Sequence, residues 1–134
     1  MNNVILIGRL TKDPDLRFMA TTGQAVANFT LAVDKNYSKD KKQEMEKNNK
    51  PTADFIRIVV YGKSAENCSN YLSKGKQAAV QGRLANRMYV GNDGENKYYT
   101  EIIAQRVEFI GSSPKARDND DDIFIPADDD DIPF

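Results

Sequence analysis

Five stretches of this chain carry the two-residue apolar period of a strand, and only one stretch among them carries the period of a helix. That pattern confines the fold to a small all-β domain. Residues 24–34 (QAVANFTLAVD) are the clearest case, with Ala27, Phe29, Leu31 and Val33 on one face and Asn28 and Thr30 on the other. Residues 3–11 (NVILIGRLT) are apolar and β-branched, and the turn cluster Lys12-Asp13-Pro14-Asp15 closes them. Residues 54–61 (DFIRIVVY) give a third strand. Residues 76–90 and 97–110 give two longer ones, joined through Gly91-Asn92-Asp93-Gly94, a hairpin signal. Between the third and fourth strands, residues 64–74 predict a short helix. Ser64 can cap its start, Ala65, Cys68, Tyr71 and Leu72 share a face, and Gly75 closes its end. Residues 38–52 are polar with no apolar period, which predicts a long mobile loop carrying Lys39, Lys41, Lys42, Lys47 and Lys50.

Five main strands with a helix between the third and fourth match the OB-fold, a five-stranded Greek-key barrel. The order alone also admits an SH3-like barrel or a ferredoxin-like sheet, although the latter needs a second helix that the pattern does not offer. Of the 134 residues, 1–111 read as this one domain, and 112–134 as a disordered acidic tail. No run of 18 apolar residues exists and no charged-then-apolar leader opens the chain, so neither a membrane span nor export by a standard signal is expected. The single cysteine, Cys68, excludes an intrachain disulfide and fits a reducing cytoplasm. Without histidine the chain lacks the commonest general base and metal ligand, so no catalytic site, metal or cofactor is expected.

Charge is segregated along the chain. Residues 1–114 hold 17 Lys and Arg against 12 Asp and Glu, a net of +5, whereas residues 115–134 hold 2 against 8, a net of −6. A basic body is suited to a polyanion, and an acidic tail must address something else. The tail ends in Asp128-Asp129-Asp130-Asp131-Ile132-Pro133-Phe134. Adjacent carboxylates repel and extend the backbone, presenting Ile132, Phe134 and a terminal carboxylate to a basic pocket on a partner protein, with Pro133 limiting the freedom lost on docking. The plainer reading is a solubilising tail. Residues 120–126 (DDDIFIP) resemble an imperfect earlier copy of the tip and read as acidic spacer.

Strand parity brings out the chemistry of the body. In residues 54–61, Ile56, Ile58 and Val60 form an apolar face, and Phe55, Arg57, Val59 and Tyr61 the opposite one. In residues 76–90, Ala78, Val80, Gly82, Leu84 and Met88 oppose Gln77, Gln81, Arg83, Arg87 and Tyr89. Each strand thus has a core face and a basic, aromatic face. Rings interleaved with guanidinium groups suit an unpaired nucleic-acid strand, because bared bases stack on π-faces while phosphates seek cations. An outward ring can equally pack on a neighbouring strand or subunit. A duplex reader fits less well, since the one helix has little basic character.

Several motifs together are similar to those of the bacterial and phage single-stranded DNA-binding proteins. They are Asn3-Val4-Ile5-Leu6-Ile7-Gly8-Arg9-Leu10, Asp13-Pro14-Asp15-Leu16-Arg17-Phe18, Ala25-Val26-Ala27-Asn28-Phe29-Thr30-Leu31-Ala32, Tyr61-Gly62-Lys63-Ser64-Ala65-Glu66, Tyr71-Leu72-Ser73-Lys74-Gly75 and the acidic tip. The resemblance implies a homotetrameric OB-fold that coats single-stranded DNA without strong sequence preference. It also implies that the tip recruits replication, recombination and repair proteins. By local motif, the family's base-stacking positions fall on Tyr37, Phe55, Tyr61 and Tyr89. Relatives carry tryptophan at several of these, and this chain has none. Arg57, Arg83, Arg87 and Lys63 are the candidate phosphate contacts, followed by Arg9, Lys12 and Lys35. Lys63 also reads as an ordinary charge at a helix start.

Two other functions compete with this one. An OB-fold RNA-binding or primosome-associated protein would keep the barrel but leave the tip unexplained. A metal-dependent nuclease needs converging carboxylates, and Asp34, Asp54 and Glu66 are scattered along the chain. The connector at 111–117 is short, which raises the local concentration of the acidic tip at the barrel and predicts competition between tip and DNA.

Overall fold

The structure, a computed structural model, describes residues 1–111, so the tail and its tip lie outside the described residues. In chain order the elements are β1 (Val4–Leu10), β2 (Asp15–Phe18), β3 (Ala25–Asp34), α1 (Lys39–Lys47), β4 (Ala53–Tyr61), α2 (Lys63–Tyr71), β5 (Gln77–Val90) and β6 (Asn96–Ile110). The sheet runs β1-β5-β6-β4-β3-β2, and a further pairing of β1 with β3, Arg9 opposite Ala32 and Leu10 opposite Leu31, closes it on itself. Only β4 and β6 pair in parallel. The closed ring β1-β3-β4-β6-β5, with α2 between β4 and β5 in the chain, is the OB-fold expected from the sequence.

Alternation decides what lies inside. Ala25, Ala27, Phe29 and Leu31 of β3 are buried, as are Ile58 and Val60 of β4, Ala78 and Val80 of β5 and Ile102 of β6. α2 adds Ala65 and Cys68, and Leu72 follows at its end. Burial raises the Cys68 thiol to about 11, so this group is core filling and not a nucleophile.

Closure requires β1 to serve two neighbours, and Gly8 makes that approach. A Cβ at Gly8 would collide with the backbone carbonyl of Ala32 on β3, while Gly8 itself pairs with Ala78 on β5. Gly82 has the same role farther along the barrel, where a Cβ would meet the carbonyl of Ile103. There β6 carries one extra residue: Gln81 opposes Arg106 but Gly82 opposes Ala104. This β-bulge leaves Gln105 unpaired and changes which residues of β6 face outward.

Four sequence expectations are corrected. Residues 38–52 are not one long loop, because α1 occupies most of them. The Ser38 side chain accepts from the Lys41 N–H, Asp40 lies in the first turn and Lys47 in the last, all favourable to a helix. None of its residues is buried, so it has no apolar stripe that periodicity could detect. Secondly, α2 starts at Lys63 with Gly62 as its N-cap and stops at Tyr71, so Ser64 lies within the first turn and Tyr71 is exposed. Thirdly, β2 is an additional short strand, paired through Leu16 with Ala27. Fourthly, the even face of β5 leaves the core beyond Gly82. Leu84 and Met88 are 48% and 57% exposed, because the pairing of β5 with β1 ends at Gly82 and β5 and β6 then run on past the barrel as an arm. Among the described residues no helix is long and apolar enough to cross a membrane.

Substituting Gly8→Ala forces the β1 and β3 backbones apart. Urea unfolding is expected to show a loss of about 1–3 kcal/mol, the usual cost of overpacking. Wild-type stability in that variant would mean that the seam has room which the geometry denies.

Candidate nucleic-acid interface

β6 is hydrogen-bonded to β4 on one side and to β5 on the other, and the three strands share an outer surface. Phe55, Arg57 and Tyr61 stand on β4, and Arg83, Arg87 and Tyr89 on β5, all on the outer face that parity assigned to them. Phe55 is 61% exposed and Tyr89 50%, so both present ring surface to solvent. Val59, expected on this outer face, is buried instead where β4 pairs with Ile103 of β6.

Beyond the bulge, the odd residues of β6 face outward, which adds two groups that sequence reasoning missed. Tyr99 lies 5.7 Å from the Tyr89 ring, centroid to centroid, and the Arg57 guanidinium sits 5.3 Å from the centroid of Tyr99. Glu101 is the other. It is 2% exposed, the one buried charged residue among those described, and it lies between the two flanking strands. Arg87 donates through Nε to Glu101 Oε2 at 2.7 Å, and Arg57 Nε is 3.7 Å from Oε1. Arg87 also donates through Nη2 to the Tyr61 hydroxyl at 2.8 Å. The hydrogen bonds to Glu101 and then to Tyr61 raise the affinity of the Arg87 guanidinium for its proton above the usual value. The bulge itself was the missing signal: one continuous parity along residues 97–110 gives the wrong face on one side of it.

Structure separates the remaining candidates from this cluster to different degrees. Tyr37 follows β3 after Asn36, whose positive φ of 60° turns the chain, and its ring lies 4.6 Å beneath Lys41 Nζ. The start of α1 therefore supplies a cation that a loop reading left unassigned. Lys35 is paired with Asp54 at 2.5 Å, a bond that raises its pKa. Lys63 is exposed at the start of α2, two residues after Tyr61. Arg9 stands on the outer face of β1 and donates to the Gly75 carbonyl at 3.0 Å, and Lys12 is exposed in the turn before β2. The geometry does not bring Arg9 or Lys12 into the central cluster. Candidate residues 128–134 lie outside the described part of the chain.

Comparison with known proteins agrees with the geometry. The model of the single-strand binding protein family matches residues 1–110. Single-stranded DNA-binding protein 3 of Clostridium acetobutylicum is 47% identical over 154 aligned positions that cover 100% of both chains. The single-stranded DNA-binding protein of Clostridium tetani is 42% identical, again across 100% of both. That of Bacillus cereus is 51% identical over 110 residues, which is 82% of this chain and 60% of the relative.

The hydrogen bond from Arg87 to Tyr61 ties the arm to β4. Removing the acceptor in Tyr61→Phe is expected to cost roughly 0.5–1.5 kcal/mol in urea unfolding, with the barrel's circular dichroism unchanged. No loss at all would mean that water replaces the phenol without penalty.

Proposed function

The chain belongs to the single-strand binding protein family, and on that footing we propose that it is a sequence-independent coat for single-stranded DNA that acts by binding alone. The observation that carries this reading is the outer face of β4, β6 and β5, where exposed rings alternate with guanidinium groups. Phosphates are drawn to Arg57, Arg83 and Arg87, with Lys63, Lys35 and then Arg9 and Lys12 at the periphery. Bared bases stack on Phe55 and Tyr89, with Tyr61 and Tyr99 beside them and Tyr37 under Lys41 at a separate point. Stacking accepts the π-face of any base, which makes the grip tolerant of sequence. A strand so covered neither re-anneals nor meets nucleases easily. Of the three carboxylates that a nuclease could use, Asp34 lies 3.9 Å from Lys42, Asp54 pairs with Lys35, and Glu66 stands apart on α2.

Other parts of the proposal rest on sequence. Residues 1–111 form the DNA-binding domain, and 112–134 a tail whose tip, Asp128 to Phe134, docks replication, recombination and repair proteins. Assembly as a homotetramer is supported by Ile5 and Ile7, exposed apolar side chains on the outer face of β1. The cytoplasm, at the nucleoid or replication fork, is the place where such a protein meets its substrate.

Titration with dT oligomers of increasing length, alongside the mass in solution, tests the central claim. Affinity is expected to fall with salt, by about 0.7 in log–log slope for each phosphate neutralised. Phe55→Ala is expected to weaken binding by about 1–3 kcal/mol, the range general to stacking on OB-folds of this class, while leaving the salt slope nearly unchanged. Absence of dT binding, or binding indifferent to salt, overturns the reading. Deleting residues 128–134 is expected to raise affinity for oligo-dT at low salt and to have little effect at high salt. Equal affinities at low salt would remove the idea that tip and DNA compete.

A further inference from the structure

Glu101 is the anomaly of the DNA-facing surface. A phosphate-binding face gains nothing from a carboxylate, and burying one costs several kcal/mol of lost hydration unless its partners are well placed. An apolar side chain at this position would serve the barrel at least as well. Yet the carboxylate is 2% exposed and each of its oxygens faces a different arginine, Arg87 at 2.7 Å and Arg57 at 3.7 Å. The two arginines come from strands that are not paired with each other in the sheet, and β6, which carries Glu101, is the only strand among the described residues that is paired with both. Each arginine in turn holds an aromatic side chain. Arg87 donates to the Tyr61 hydroxyl, and Arg57 lies over Tyr99, which packs against Tyr89.

Building on the single-stranded DNA reading, we infer that Glu101 is the positioning residue of the interface, fixing both arginines and through them the stacking rings, and cancelling one of the two arginine charges. The surface is thereby set before the strand arrives. Ordering of Arg57 and Arg87 takes place on folding, so it need not be repeated on binding. Its other consequence concerns release. Two guanidinium groups at this point neutralise fewer phosphates than their number suggests, which weakens the electrostatic hold on the strand and makes it easier to hand over.

Glu101→Gln separates this role from mere filling of space, since the amide keeps the shape and removes the charge. Its log–log salt slope for oligo-dT is expected to be steeper than wild type by about 0.7, one additional phosphate, so that over a tenfold rise in salt its relative affinity falls about fivefold. Glu101→Asp keeps the charge but withdraws it by one methylene. That variant is expected to retain the wild-type slope with lower affinity at every salt concentration. A Glu101→Gln line parallel to wild type overturns the inference, because a purely structural residue shifts affinity without changing the phosphate count.

Should neither variant fold, the free wild-type protein still decides the matter by nitrogen–proton spectroscopy. The Arg87 Nε–H is expected as a distinct, slowly exchanging resonance, unlike that of exposed Arg83. Rapid exchange at Arg87 refutes positioning whether or not the protein binds DNA. Failure of the wild type to bind dT would instead refute the DNA reading and leave the arginine resonances as they are.

Discussion

One strand, β6, holds the arrangement together, because it alone bonds to both β4 and β5. A sheet sends alternate residues to opposite faces, so the composition of an outer surface depends on register as much as on sequence. Here register is set by a one-residue slip. With Gln105 left over, Arg106 faces Gln81 while Ala104 faces Gly82, and every outward residue of β6 changes parity at that point. Gly82 permits the slip, since any Cβ there would strike the carbonyl of Ile103. Below the bulge β6 turns outward with even residues, and above it with odd ones, Tyr99 and Glu101 among them. Without the slip those two groups would leave the surface, and Arg57 and Arg87 would have no common partner.

The same geometry resolves an electrostatic difficulty. Cations gathered for a polyanion repel each other whenever the polyanion is absent, and the folded state has to tolerate that condition. Arg57 and Arg87 are kept together by a buried carboxylate that lies within reach of both. Lys35 is balanced more loosely, by Asp54 at the exposed end of β4, and Lys42 by Asp34. Exposed pairs such as these contribute little to stability. The buried one behaves differently, as its carboxylate has no water to return to.

Much of this was legible from residue order. The core faces of β3 and β4, the hairpin at residues 91–94 and the outward placement of Phe55, Arg57, Tyr61, Arg83, Arg87 and Tyr89 all follow from a period of two in uninterrupted strands. α1 was illegible because periodicity registers burial, and an entirely exposed helix buries nothing. Its N-cap Ser38 and the first-turn Asp40 were the available signal. The start of α2 was misread because Ser64 is a good cap by type, whereas the backbone turns two positions earlier than that choice requires, at Gly62 with φ of 75°. Tyr99 and Glu101 were hidden by the bulge, since no local residue pattern announces an unpaired Gln105. Leu84 and Met88 have core-like parity but no core beneath them, because parity reveals which side a residue takes and not whether anything covers that side.

Strand parity also separates what holds the barrel from what faces solvent on the proposed interface. Ile58 and Val60 lie on the same six-residue stretch as Phe55 and Arg57, yet they face the core while Phe55 and Arg57 face solvent. Most ring or guanidinium positions on the outside can therefore vary without disturbing the packed layer. That freedom is compatible with a chain whose outward rings are phenylalanine and tyrosine and that has no tryptophan at all. The exceptions are the residues that face outward and are nonetheless tied down, Tyr61 by Arg87 and both arginines by Glu101. In those few positions the proposed interface and the fold draw on the same contacts, whereas Phe55, 61% exposed, stands outside that bonded set.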